Sequence, residues 1–86
     1  MANITTARAF IEQSRAAQSA EDFLSMARLA VAAQRTARQC RAASRGDVAW
    51  LAHNLVAAAQ RGATAARDRS IIGGLMAESQ TIGWNF

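Results

Sequence analysis

Proline, lysine and tyrosine are missing from this 86-residue chain, and cysteine and histidine occur once each, as Cys40 and His53. Proline is absent and β-branched residues are scattered, so nothing favours a sheet. A single cysteine forbids an intrachain disulfide and makes a reducing compartment the simpler expectation. One histidine and one cysteine cannot supply the three or four nitrogen and sulfur ligands of a zinc centre, so no metal is expected. Nor does the sequence place a serine or cysteine for His53 to activate, or an acid to orient it. Gly73-Gly74 is followed by neither lysine nor a long helix, so no phosphate-binding loop is read there. No cofactor and no catalytic residue are assigned.

Long apolar runs are also lacking. The longest uncharged stretch, residues 48–60, contains His53, Asn54 and Gln60 and is too short to cross a bilayer. The first residues, Met-Ala-Asn-Ile-Thr-Thr-Ala-Arg, do not resemble a secretory leader, so a cytoplasmic location and no membrane partner are expected. Bulky apolar side chains are few for a chain of this length. The core is therefore expected to be thin, and a homodimer or a bound partner would supply further burial.

What the chain does have is alanine, at about a quarter of all positions, with arginine, glutamine and leucine, all strong helix formers. One all-α domain covering residues 1–86 follows. The first helix is expected from Thr5 or Thr6 to about Gln18, with Ile4, Ala7, Ile11 and Ser14 on one face. Ser19 and Asp22 have capping-box spacing, so a second, long helix is expected over residues 20–44. Its apolar stripe is Phe23, Met26, Ala27, Ala30, Ala33, Ala37 and Cys40. Arg45-Gly46-Asp47 reads as helix end, turn and cap. That local reading is preferred to an adhesion-receptor motif. A third helix is then expected over residues 48–69, antiparallel to the second. Ala30, Ala33 and Ala37 would face Ala52, Ala59 and Gly62 across a close, methyl-lined seam. Beyond Arg69, the glycine pair leaves room only for a short helical segment over residues 75–80 and an extended aromatic end.

All ten positive charges are arginine, and the formal net charge is +4. Arg35, Arg38, Arg41 and Arg45 recur at helical spacing on one flank of the second helix. Such a flank can meet an acidic protein surface through forked hydrogen bonds, or phosphates in a nucleic acid. It can also be a solvated face. Trp50 points away from the alanine seam, where it can pack on the first helix or anchor a partner. Trp84 and Phe86 either cap the bundle or enter a partner's groove. The segment Leu51-Ala52-His53-Asn54-Leu55 carries part of a helix-turn-helix pattern. Val56-Ala57-Ala58-Ala59 then follows where a turn is required, which argues against that motif.

The sequence-level expectation is a small non-catalytic protein-binding module, a regulator, adaptor or stoichiometric inhibitor. Proteins of that kind encoded by phages and mobile elements have a comparable inventory, which is an analogy only. Its partner-binding residues would be Arg35, Arg38, Arg41, Arg45, Trp50, Trp84 and Phe86. The alternatives are a dimeric nucleic-acid-binding protein using the same arginines on phosphates, and a self-assembling structural subunit.

Overall fold

The computed structural model describes residues 2–86, in which four helices and no strand occur: α1 (Ile4–Ser19), α2 (Phe23–Gln39), α3 (Arg45–Gly62) and α4 (Ala66–Ile82). The all-α bundle built on a helical hairpin is as the composition implies. α2 and α3 pack along each other, α1 lies on one side of this pair and α4 on the other, and α1 and α4 do not touch. Successive helices run antiparallel: Phe23 at the start of α2 meets Gly62 at the end of α3.

The alanines assigned to the seam are buried, as their spacing implies. Ala30, Ala33 and Ala37 of α2 and Ala52 and Ala59 of α3 are all fully buried. Met26, Val31, Val56 and Ile72 are the large apolar side chains sealed completely from solvent. Few as they are, they suffice for ordinary compactness. The radius of gyration, 11.9 Å, equals the roughly 12 Å expected of a packed domain this long.

Helix boundaries depart from the sequence reading at each junction, and each departure has a local cause. α1 is capped by Asn3, not by Thr5 or Thr6; Asn3 Oδ1 accepts from the Thr6 amide at 2.8 Å. Ser19 is the last residue of α1 and does not cap α2. Its hydroxyl donates back to the Arg15 carbonyl at 3.3 Å. The chain leaves α1 through a Schellman turn, in which the Asp22 amide donates to Ala17 O and the Glu21 amide to Gln18 O. Glu21 holds the left-handed position of that turn, with φ of 57°. Asp22 then caps α2, its Oδ1 accepting from the Ser25 amide at 3.2 Å. One residue both closes the first helix and opens the second.

α2 ends at Gln39, five residues before the expected end, because Cys40 turns extended with ψ of 155°. Arg45 NH1 donates to the freed Cys40 carbonyl at 2.7 Å and closes the short connection. Arg45-Gly46-Asp47 therefore forms the first turn of α3 rather than the turn between helices. Asp47 serves the helix there as an acid near its N-terminus. Gly62 terminates α3. A β-carbon there would come within 2.7 Å of the Phe23 ring, and the next residue, Ala63, is extended. The expected third helix over residues 48–69 is thus two helices meeting at residues 63–65. The second of them, α4, runs 17 residues straight through Gly73-Gly74.

Candidate functional site

Three of the four flank arginines are engaged within the chain. Arg35 grips Glu78 of α4 with two nitrogens, NH2 donating to Oε1 at 2.7 Å. That hydrogen-bonded pairing raises the pKa of the Arg35 guanidinium further above its already high ordinary value. Arg38 NH1 donates to the Ile82 carbonyl at the end of α4, at 2.8 Å. Arg45 holds the Cys40 carbonyl, and its guanidinium sits 5.8 Å from the centre of the Phe86 ring. Arg41 lies in the connection after α2, exposed and without a polar partner among the described residues. The spacing that looks like an open cationic patch puts Arg35 and Arg38 within reach of α4, which they bond across the surface.

Below this flank is a polar cluster that the sequence reading missed. Gln34 of α2 and Ser79 of α4 are fully buried. Gln34 Nε2 donates to the carbonyls of Ser79 and Gly83, both at 2.9 Å. Its Oε1 accepts from the Ser79 hydroxyl at 2.6 Å. With that one proton committed, Ser79 Oγ is an acceptor toward His53, whose Nδ1 lies 2.7 Å away. The neutral ring therefore carries its proton on Nδ1 and keeps Nε2 as its lone-pair nitrogen. Burial holds the His53 pKa below its ordinary value. A signal for both missed residues was present. Gln34 interrupts the Ala30, Ala33, Ala37 stripe, and Ser79 follows Ile72 and Met76 at helical spacing.

The closeness of Ser79 and His53 has the wrong polarity for a nucleophile. An activated serine donates its proton to imidazole, whereas this hydroxyl donates to Gln34 and is sealed from solvent. Among the described residues no three histidine, cysteine or carboxylate groups come together to hold a metal ion. Cys40 is buried, its thiol turned to the Thr36 carbonyl.

The aromatic residues divide cleanly. Trp84 folds back and stacks on His53, with ring centroids 4.1 Å apart and planes 25° from parallel. Phe86 follows it and lies 39% exposed beside Arg45. Trp50 instead is 54% exposed, on the face of α3 opposite its buried residues, and does not belong to the lining between α1 and α3. Its neighbour Leu51 takes that role, lining with Val48, Ile11, Arg8, Glu12 and Arg15 a groove of about 380 Å³ between α1 and α3. Glu12 and Arg15 pair across the helix surface at 3.4 Å, leaving Arg8 as the uncompensated charge of the groove. No helix among the described residues is long and apolar enough to cross a membrane. The chain matches no protein-family model and is significantly similar to no curated protein and to no solved structure.

Proposed function

We propose that this chain is a non-catalytic binding module that occupies a surface of another protein, with Trp50 as its anchor. The exposure of Trp50 carries the reading. A large indole is held outward by a rigid helix whose opposite face is fully packed. Truncation of such a residue in an interface costs more than that of almost any other type. The adjoining groove between α1 and α3 can receive an apolar side chain of the partner.

An acidic protein surface suits this module. Arg8 borders the groove as its uncompensated charge, Arg41 is exposed and without a polar partner among the described residues, and the chain carries a net +4. Those charges favour encounter and orientation more than affinity. The roles of the flank arginines differ accordingly: Arg41 is left for a partner, whereas Arg35, Arg38 and Arg45 hold the bundle together. Trp84 and Phe86 belong to the bundle in the unbound protein. Nucleic-acid binding draws less support, because most of the arginines it would place on phosphates already have partners. A regulator, adaptor or stoichiometric inhibitor remains the functional class.

Affinity capture from the native cell with wild-type and Trp50→Ala protein tests the proposal. A protein retained by the wild type and lost with the variant, at unchanged thermal stability, supports it. Retention of the same protein by both forms contradicts it. Binding to nonspecific duplex that falls steeply with salt would support the nucleic-acid reading instead.

A further inference from the structure

α3 is covered on all sides but one. Val48 and Leu51 turn to the groove shared with α1, His53 meets Ser79 of α4, and Ala52, Val56 and Ala59 lie in the core. Asp47, Trp50, Asn54, Ala57 and Arg61 occupy the remaining side. They follow one another at intervals of three, four, three and four residues, which sets them in one row along the helix. Asp47, Trp50 and Arg61 are exposed, and Asn54 and Ala57 are half-buried. The row is about 21 Å long at the ordinary helical rise. Its charges are balanced about Asn54, with the acid seven residues before it and the base seven residues after. The ion pairs among the described residues are Glu12–Arg15 and Arg35–Glu78, so neither end of the row is neutralised within the chain.

We propose that this row docks a second copy of the chain, the two α3 helices crossing antiparallel at Asn54. A row with opposite charges at equal distances from its centre is complementary to itself when reversed. Asp47 of each copy then stands against Arg61 of the other. The parallel arrangement would instead oppose Asp47 to Asp47 and Arg61 to Arg61, and like charges in contact disfavour it. Size is matched in the same way. Trp50 precedes the crossing point by four residues and Ala57 follows it by three, so reversal lays each indole over the small Ala57 of the other copy. At the crossing itself, the Asn54 amide both donates and accepts, so two copies of it can bond each other. One helix face is a small contact, and the +4 on each copy opposes approach, so the pair is weak and reversible. Its dissociation constant should be about 0.1–1 mM, which leaves Trp50 open in dilute solution. The inference goes beyond the preceding reading and shares its anchor. A second copy and a foreign partner cannot hold Trp50 at once, so either one excludes the other.

Sedimentation equilibrium of the purified intact protein, from about 10 μM to about 2 mM, tests it. The wild type should pass from monomer to dimer across that range. Trp50→Ala, which alters only an exposed side chain, should weaken association at least about tenfold. Asp47→Arg and Arg61→Asp each set like charges at both ends of the crossing, so each alone should remain monomeric. Mixed in equal amounts, the two variants should pair with each other. Circular dichroism checks that each variant keeps its helices, and should a charge variant unfold, Trp50→Ala still decides. In a mixture of labelled and unlabelled wild type, a nuclear Overhauser contact between the Trp50 indole of one copy and the Ala57 methyl of the other reads the antiparallel crossing. A wild type that stays monomeric throughout overturns the proposal. So does a dimer that Trp50→Ala leaves intact, or a mixture of charge variants that pairs no better than either alone. These readings use the pure chain, so they stand apart from capture of a foreign protein.

Discussion

His53 Nδ1 and Ser79 Oγ meet at 2.7 Å across the interface of α3 and α4, and the Ser79 hydroxyl donates its own hydrogen bond to Gln34 Oε1 of α2. A single hydroxyl thus joins three helices. Ser79→Ala strips Gln34 Oε1 of its donor and His53 Nδ1 of its acceptor, at a site with no water access for Ser79. Leaving buried polar groups unpaired costs about 1–3 kcal/mol. Gln34→Met should cost a similar amount, since the Gly83 carbonyl loses its side-chain donor. The two changes together should cost clearly less than their sum, because the orphaned groups are removed as well. Urea unfolding of the single and double variants measures this. Simple additivity would mean that the network is not a unit.

The seam between α2 and α3 is intolerant of volume. Ala59→Leu places a branched side chain at a position of α3 that has no exposure, in the core that α3 shares with α2. Over-packing of this kind costs about 1–3 kcal/mol. Gly62→Ala should destabilise as well, through the clash of its β-carbon with the Phe23 ring. An unchanged melting temperature for Ala59→Leu would place the seam elsewhere.

Three positions are expected to gain stability on substitution. Nothing lies within 4 Å of a β-carbon added to Gly73 or Gly74, both inside α4. Alanine at either should stabilise by about 0.5–1 kcal/mol through helix propensity alone. Glu21→Gly should also stabilise, by about 1 kcal/mol, since Glu21 occupies a left-handed turn position. Differential scanning calorimetry reads these shifts, and a fall in melting temperature for Glu21→Gly would contradict the turn geometry.

Acid acts through two groups at different pH. The unfolded chain protonates His53 as pH falls through about 6.5, whereas burial makes the folded ring resist. The unfolded state binds more protons in that window, so stability declines from about 6.5 downward, and above it His53 contributes no slope. Asp22 follows at lower pH. Its hydrogen bond to Ser25 lowers its pKa, so its contribution is present above about 3.8 and is lost as pH falls through the folded value. Stability measured against pH should lose the upper decline in His53→Gln and keep the lower one.

The parts of the fold that the sequence revealed are those governed by side-chain period. The alanine stripes of α2 and α3 each mark a face, and burial of Ala30, Ala33, Ala37, Ala52 and Ala59 follows from them. Helix ends were less legible because backbone geometry sets them. Glu21 takes a conformation usually given to glycine, and Cys40 and Ala63 turn extended although neither residue type breaks helices. α4 was obscured by Gly73-Gly74, whose low propensity is outweighed by burial of Ile72 and by the grip of Arg35 and Arg38. Helical spacing correctly placed Arg35 and Arg38 together, and both bond a neighbouring helix from a solvent-exposed flank. Gln34 and Ser79 were passed over because each looks surface-like alone; their partners lie 45 residues apart in the chain.

The contrast between an outward Trp50 and a covered Trp84 is open to one direct measurement. Acrylamide quenching of tryptophan fluorescence in Trp84→Phe, which retains Trp50, and in Trp50→Phe, which retains Trp84, reads each indole separately. Trp50 should be quenched nearly as readily as an indole in water, and Trp84 at neutral pH should be shielded. Equal quenching of the two, or a shielded Trp50, would contradict the assignment of α3's outer face as the binding surface.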